Sequence, residues 1–475
     1  MSFSTRFLYV GLGGTGLKIG KELERLLREE MCGPDGRALV SMGGTFANME
    51  ARQLPDFVQT VYLDFSESEL RSLQADLLPR APEVARRTAT FVGALSAAGR
   101  ASTDVTRQLR TSESVHEITD AWLPPVAGDW GGEPAFAPLA TGAGQYPTIG
   151  RAALFAYMER FGSASLLRDF ADPLAKLSTS VGQLEEYAGT AAAARSVVIL
   201  VGCSVSGGTG GGIFLDVMRL VAHAAAQQLE GTPFVIVPLV MLPSAFERVL
   251  PPAKQRYARL NTIRALADLG NLIDSQNSPP PDQPASISRY PGGGGTAPLE
   301  IVLPSATVKT AFLFDKPGEI QSDGELAERM ARFAITLLRQ PSVSKLEAGP
   351  LGGNRTMTLL DKLVNESGLL QQRHPSFVGR RPFSSTACIA IPDGRDHLVQ
   401  LVSERLLAAL LRANRDDQSP EKQAEAMKTA ETAAELVPSR QAPIDGRKRD
   451  EVVNPSVAEP GPMADAYTAY QTALR

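Results

Sequence analysis

A run of glycines between a buried strand and an amphipathic helix constrains the fold of this chain most. The apolar residues Val197–Val201 predict a strand, and Ile213–Val221 carry apolar residues at helical spacing. Between them lies the glycine-rich segment Ser206–Gly212. Glycine lets backbone N–H groups turn inward and approach an anion, and the N-terminus of the following helix adds a positive partial charge. The segment therefore predicts a phosphate-binding loop in a βα unit.

A second glycine loop lies near the start of the sequence. Phe7–Val10 predicts a buried strand, Gly11–Gly16 a tight loop and Leu17–Glu29 a helix. The loop fits the dinucleotide-binding pattern Gly-x-Gly-x-x-Gly. Enzymes of that class also carry an acidic residue about 20 positions further on, at the end of the second strand. The pair Glu29–Glu30 lies at that distance but within the helical segment, so a Rossmann-type oxidoreductase using NAD(P) or a flavin stays an alternative.

Strands and helices alternate along most of the chain. Val58–Asp64 and Phe234–Val240 predict further strands, and a long helix follows the second of them over about 253–273. This alternation predicts a Rossmann-like α/β fold, with a largely parallel sheet and helices on both faces. Residues 275–298 are rich in proline and glycine, and they are predicted to form a flexible insertion without regular structure.

The pattern also predicts how the chain is divided. Residues 1–323 form the predicted first domain, and 324–340 predict a central helix with one apolar face. A smaller α+β domain is expected over 341–412. The polar and then proline-rich residues 413–475 are expected to form a linker or extension.

Charge and cysteine content exclude several classes of function. A formal net charge of −4 provides no general basic field, so bulk nucleic acid is not an expected partner. The three cysteines favour a reducing compartment over a disulfide framework, and the expected location is the cytoplasm. No apolar run reaches the roughly 18 residues that a membrane span needs. The four histidines share no ligand-like spacing, so a zinc site is not expected.

A third glycine loop, Gly142-Ala143-Gly144, lies between the other two, and the set resembles the nucleotide loops of the tubulin/FtsZ superfamily. The phosphate loop of that family reads Gly-Gly-Gly-Thr-Gly-(Ser/Thr)-Gly and tolerates Ser at its first position. Residues 206–212 fit six of its seven positions, and Gly211 replaces the usual Ser or Thr. The likeness extends in order over about residues 5–340 and looks closest to the divergent bacterial tubulin-like proteins.

The resemblance implies that GTP or GDP binds with Mg²⁺ across the carboxyl ends of the sheet. Asp64 is what remains of the Asn-Thr-Asp segment of FtsZ, and Glu247 ends a turn similar to the family's Pro-Phe-x-x-Glu, which suggests a ribose contact. The residues that match nucleotide contacts of the family are Gly11, Gly13, Gly14, Thr15, Gly16, Asp64, Gly142, Ala143, Gly144, Ser206, Gly207, Gly208, Thr209, Gly210, Gly211, Gly212 and Glu247.

Recognition of the base has more than one candidate. In the family an aromatic ring stacks on guanine, and an Asn or Asp four or five residues later pairs with its edge. Tyr257 and Asn261 have that spacing on one helix face. The family's order of elements would instead favour the helix at 324–339, which contains neither Asn nor Asp, and Asp315 before that helix is a comparable candidate.

Assembly and hydrolysis are also implied by the resemblance alone. Members of the family self-associate into filaments, and an acidic loop of one subunit, Asn-x-Asp-x-x-Asp in FtsZ, completes the GTPase site of the next. No such motif follows Arg339, and the nearest acids are Asp361 and Glu366. The catalytic group therefore has no assignment, slow hydrolysis is the expectation, and a nucleotide-binding scaffold without turnover is a further alternative.

Overall fold

A computed structural model describes most of the first 339 residues and little beyond them. The described residues are 3, 5–79, 81–93, 102–113, 115–123, 139, 142–189, 196–277, 287–294, 296–304, 307–316, 322–339, 383–385 and 405. The domain predicted at 341–412, the extension predicted at 413–475, and Asp361 and Glu366 lie almost entirely outside them. The chain divides into two compact units, Met1–Ile389 and Ala390–Arg475, and every described strand and helix lies in the first.

Strands and helices alternate in this unit as the sequence predicts. The strands are β1 (Arg6–Leu12), β2 (Val58–Leu63), β3 (Ala89–Val92), β4 (Val197–Ser204), β5 (Phe234–Met241), β6 (Ile287–Tyr290), β7 (Leu299–Val302), β8 (Ala311–Phe314) and β9 (Phe383–Ser385). The helices are α1 (Gly13–Cys32), α2 (Ala38–Met42), α3 (Glu67–Leu77), α4 (Pro82–Ala85), α5 (Ser102–Thr111), α6 (His116–Thr119), α7 (Pro147–Phe161), α8 (Ser163–Thr179), α9 (Val181–Ala188), α10 (Gly208–Gln228), α11 (Pro252–Asn277) and α12 (Asp323–Leu338).

The main sheet of the described residues has seven strands in the order β3-β2-β1-β4-β5-β8-β9, and the neighbouring strands run parallel. Every residue of β1 and β4 is buried. Parallel strands covered by helices on both faces need apolar residues on both sides, which explains their unbroken apolar runs. The predicted Rossmann-like α/β architecture is confirmed.

Two helical layers cover this sheet. One packs α1, α3 and α12 over Tyr9, Tyr62 and Leu200, and the other packs α5, α7, α8, α10 and α11 over Val10 and Val201. Each layer therefore buries a continuous apolar core against one face of the sheet. This packing holds the start of each helix in position relative to the ends of the strands. Among the described helices, none combines the length and the apolar character that crossing a bilayer requires.

Two helices begin earlier than the sequence predicts. The loop predicted at Gly11–Gly16 ends with β1 at Leu12, and α1 begins at Gly13. The loop predicted at 206–212 is shorter too, because α10 begins at Gly208. Glycine is unfavourable in the middle of a helix but tolerated in the first turn, where close neighbours here leave no room for a Cβ.

The prediction of a flexible insertion at 275–298 is wrong for two segments. The helix α11 continues to Asn277, and Ile287–Tyr290 forms β6, which pairs antiparallel with β7. The Tyr290 ring is fully buried against Phe155, with 5.8 Å between the ring centroids. A tertiary contact of this kind orders a segment whose local composition predicts a loop.

Candidate functional site

The N-termini of two long helices lie side by side at one edge of the sheet. The strands β1 and β4 are parallel neighbours in register, with Leu12 opposite Cys203, and each is followed closely by α1 or α10. Gly13 has a φ of +66°, and a Cβ there would lie 3.2 Å from the Cβ of Thr209. Neither first turn contains an acidic residue. Two positive helix ends therefore face the same space, an arrangement that favours an anion.

Some of the glycines are required by the packing of α1 against the sheet. A Cβ on Gly16 would lie 2.4 Å from the carbonyl oxygen of Gly202 and 2.6 Å from the carbonyl carbon of Gly11. The Tyr9 hydroxyl donates a hydrogen bond of 2.7 Å to the Gly16 carbonyl oxygen. In this structure Gly11 and Gly16 thus bring helix and strands together, whereas Gly14 and Thr15 lie in the first turn and are only half-buried.

Glycines of α10 have the same packing role. An added Cβ would lie 2.5 Å from the Ser204 carbonyl oxygen at Gly210, 2.8 Å from that of Val205 at Gly211, and 2.3 Å from that of Pro147 at Gly212. Gly207 differs from them because it is the N-cap residue of α10 and a Cβ there would have no neighbour closer than 3.9 Å. Gly207 is therefore the position of this loop that faces open space.

The third loop packs directly on the start of α10. The N–H of Gly208 donates a hydrogen bond of 2.6 Å to the Gly144 carbonyl oxygen, and a Cβ on Gly208 would lie 2.4 Å from the Ala143 carbonyl oxygen. Gly142 and Gly144 have positive φ values of +97° and +57°. The structure thus brings together the three glycine loops that lie far apart in the sequence.

The helix α11 holds two of these loops in place. The Asn261 Nδ2 donates to the carbonyl oxygens of Gln145, at 2.9 Å, and Ser206, at 3.3 Å. The hydroxyl oxygens of Ser206 and Thr262 are 3.2 Å apart. The side chains of Asn261 and Ser206 therefore bind protein groups here, and their predicted contacts with a base and a phosphate stay predictions. Tyr257, one turn before Asn261, is 47 % exposed.

Glu247 lies beyond the carboxyl end of β5, after the 3₁₀ turn Pro243–Phe246. Its carboxylate forms an exposed ion pair of 2.5 Å with Arg259 of α11, and its carbonyl oxygen accepts a hydrogen bond of 2.8 Å from the side chain of Gln255. Asp315 accepts a hydrogen bond from the hydroxyl of Ser244 in the same turn. Both acids thus lie at the carboxyl edge that the sequence predicts, although each already has a partner.

Asp64 lies at the carboxyl end of β2 and places this strand end at the candidate site. It follows the last residue of β2, is only 3 % exposed, and accepts hydrogen bonds from the Ser66 N–H, at 3.3 Å, and the Thr209 hydroxyl. Burial and the nearby negative charge of Glu69 raise its pKa to about 7, although these hydrogen bonds oppose the shift. Its carboxyl group therefore holds a proton to a higher pH than an exposed aspartate does.

Glu69 also lies at the candidate site, although no motif in the sequence identifies it as a site residue. Ser66-x-x-Glu69 has the pattern of a capping box, in which the glutamate side chain turns back to the N–H of the cap residue. Here Ser66 caps α3, but its N–H donates to Asp64. The Glu69 Oε2 lies 2.5 Å from where a Cβ on Gly14 would be. This second carboxylate therefore lies next to the N-terminus of α1, where the helix dipole favours it.

An ion pair joins the helices that follow two of the loops. Arg151 of α7 contacts Asp216 of α10 through two bonds, Nε to Oδ2 at 2.8 Å and Nη2 to Oδ1 at 3.2 Å. The buried Asp216 also accepts a hydrogen bond of 3.2 Å from the Tyr290 hydroxyl. The guanidinium carbon of Arg151 lies 4.6 Å from the centroid of the Trp122 ring. Arg151 therefore holds α7 against α10.

The pKa of Asp64 predicts a dependence of stability on pH. Burial raises the pKa of this carboxyl to about 7 in the folded protein, against 3.8 for an exposed aspartate, so the folded state retains a proton that the unfolded chain loses. We expect the free energy of unfolding to fall by about 2 kcal/mol more in the wild type than in Asp64→Asn between pH 5 and pH 7. Urea unfolding of both proteins in EDTA measures this, and parallel pH profiles would contradict it.

No curated protein matches the chain significantly. CetZ2 of Haloferax volcanii, in a GTPγS-bound protofilament, is 16 % identical with a TM-score of 0.31, and the match covers 70 % of this chain and 58 % of that one. TubZ of Bacillus thuringiensis serovar israelensis, in a GTPγS-form protofilament, is 15 % identical with a TM-score of 0.31, covering 71 % and 56 %.

The chain thus spans less than two thirds of the length of both solved relatives. The family evidence covers more of the chain, because the sequence model of the tubulin-like family matches residues 8–412 of its 475 residues. The protein belongs to the tubulin-like family.

Proposed function

We propose that this protein binds GTP or GDP at the glycine loops around the N-termini of α1 and α10 and associates with further copies of itself. The observation that carries the proposal is the contact between these two helix ends, where Gly13 meets Thr209 with no acidic residue in either first turn. Two helix ends that share one space suit an extended polyphosphate better than a single small anion.

The rest of the nucleotide has candidate contacts on the same edge. Family membership supports guanine as the base. Tyr257 is half-exposed on α11 next to the Ser206 loop and offers an aromatic face for stacking, whereas Glu247 at the end of β5 offers a carboxylate for the ribose hydroxyls. Glu247 can accept ribose hydroxyls through the lone pairs that its ion pair with Arg259 leaves free.

The proposed site includes Mg²⁺. Within the part of the chain that the structure describes, no three His, Cys, Asp or Glu residues are grouped as metal ligands. Mg²⁺ needs no such cage, because it is commonly held by one or two carboxylates together with phosphates and water. Asp64 and Glu69 fit this requirement, since both lie beside the first turn of α1 or α10. When bound, the ion would neutralise phosphate charge that these carboxylates otherwise repel.

Hydrolysis is a separate part of the proposal. Slow GTPase activity at contacts between copies is what family membership suggests, and none of the described residues is assigned as the catalytic group. Turnover that rises with protein concentration would support a site completed by a second copy. Tight GTP binding with no phosphate release at any concentration would favour a scaffold instead.

Equilibrium binding of a fluorescent GTP analogue in the presence of Mg²⁺ tests the proposal. We expect saturable binding that unlabelled GTP and GDP reverse and that ATP reverses only at much higher concentration. Sedimentation with GTP would then report self-association. Competition by NAD without competition by GTP would contradict the proposal and favour an oxidoreductase that uses the first loop.

A further inference from the structure

The helix α11 has a second apolar face that the fold leaves exposed. Its inward face contains the buried residues Ala258, Thr262, Ala265 and Leu269. Its outer face, defined here as Leu260 and Ile263 with the preceding Val249, is 52 %, 67 % and 75 % exposed, respectively. Val249 and Ile263 are the two most exposed large apolar residues in the described parts of the chain. Such a concentration is typical of a surface that binds a partner.

This outer face is surrounded by positive charge. Residues 247–268 contain five cations and two carboxylates, in a chain whose formal net charge is −4. The two carboxylates are already paired, Glu247 with Arg259 and Asp268 with Arg264. Lys254 and Arg256 are exposed and form no ion pair with any described residue. The surface is therefore apolar and basic, which is complementary to an acidic partner.

The same chain has an acidic surface of matching kind. Glu113, Glu117 and Asp120, around α6, are exposed and form no ion pair within the described residues. The two surfaces belong to one helical layer: α5 packs on α7, α7 on α10, and α10 on α11. Within one copy, the described residues show no extensive packing of α6 on α11. The α6 surface is therefore available to α11 of another copy.

We propose that a second copy of this chain docks the acidic surface around α6 onto the outer face of α11. The contact uses different surfaces on the two copies, so it can repeat and produce an open row rather than a closed dimer. This inference deepens the proposed self-association and rests on it. Since Asn261 reaches both glycine loops from the same helix, the contact would also lie close to the proposed nucleotide site.

Charge exchange between the two surfaces tests this inference. One variant combines Lys254→Glu with Arg256→Glu, and the other combines Glu117→Lys with Asp120→Lys. We expect each alone to sediment about tenfold less than the wild type with GTP, because like charges then face each other. An equimolar mixture of the two variants restores opposite charges at every contact and should sediment again. Both variants should bind the fluorescent GTP analogue normally, since none of these residues lies in the proposed site.

The controls separate the possible failures. Lys21→Glu with Arg71→Glu makes the same change of net charge on α1 and α3, which cover the opposite face of the sheet, and should sediment as the wild type does. Normal sedimentation of both exchanged variants, or a mixture that fails to recover, would overturn the inference and leave nucleotide binding untouched. A wild type that never sediments or gains mass would instead contradict self-association itself. Pelleting with anionic vesicles, lost only in the α11 variant, would assign the face to a membrane.

Discussion

The variant Gly207→Asp is expected to fold as the wild type does and to bind GTP about 100-fold more weakly. Gly207 is the N-cap of α10, with φ of −93° and ψ of 170°, a conformation that any residue adopts. The nearest atom to a Cβ there would be the Gly144 carbonyl oxygen at 3.9 Å. Asp is a preferred N-cap residue, so it should stabilise the helix. Its carboxylate would occupy the N–H groups of Thr209 and Gly210 and would repel a phosphate.

The matched control is Gly207→Asn, which has nearly the same shape and capping ability without the charge. We expect it to bind GTP more tightly than Gly207→Asp does, so that the ratio between the two affinities measures the electrostatic part of the loss. Titration with the fluorescent GTP analogue gives both affinities, and thermal melting confirms that both variants fold. If Gly207→Asp bound GTP with wild-type affinity, the proposed position of the phosphates at the N-terminus of α10 would be wrong.

The variant Gly16→Ala is expected to lose at least about 3 kcal/mol of stability, or to fail to fold. A methyl group at Gly16 would lie 2.4 Å from the Gly202 carbonyl oxygen and 2.6 Å from the Gly11 carbonyl carbon. Both obstacles are backbone atoms of central strands, and they cannot move as the end of a flexible side chain can. The helix α1 would have to lift away from β1 and β4, with loss of the core beneath it. Urea unfolding measures the change.

A second glycine-to-alanine change provides the comparison. Gly182 lies in the helix α9, and a Cβ there would meet no atom within 4 Å. We expect Gly182→Ala to change the free energy of unfolding by no more than about 0.5 kcal/mol, because Gly182 lies in the first turn of α9, where glycine is tolerated. Equal effects of the two substitutions would show that helix propensity, and not the close approach of α1 to the sheet, decides the outcome at Gly16.

The central strands of the sheet could be predicted from sequence because their apolar pattern is local. β1, β4, β5 and β8 are almost entirely buried, so each appears as a short, mainly apolar run, whereas β2 also buries the polar residues Gln59 and Thr60. The starts of α1 and α10 could not be predicted in this way. Whether a glycine begins a helix or stays in a loop depends here on backbone atoms of other strands, such as the Gly202 carbonyl beside Gly16. β6 was not predicted for a similar reason, because Tyr290 is ordered by packing against a residue that is distant in the sequence.

The position of the candidate site follows from topology, but its side-chain arrangement does not. Parallel neighbours end at the same edge, so the loops after β1 and β4 must meet. Helical spacing fixes only the face on which Asn261 lies, whereas its acceptor on Gln145 is 116 residues away in the chain. Glu69 likewise obeys a capping pattern in sequence, and its actual direction depends on Asp64 having taken the Ser66 N–H. In both cases the direction of the side chain depends on a contact with a residue distant in sequence, or on a hydrogen-bond donor that another residue already occupies.

The bonds from Gly208 to Gly144 and from Asn261 to both loops have a consequence for the entropy of association. They hold the backbone of these loops before any ligand arrives. Fixing the backbone of one flexible residue costs about 1–2 kcal/mol, so a five-residue loop that became ordered only on binding would cost roughly 5–10 kcal/mol of affinity. Here the loops are already ordered in the folded protein, so this entropy cost does not reduce the affinity for the ligand.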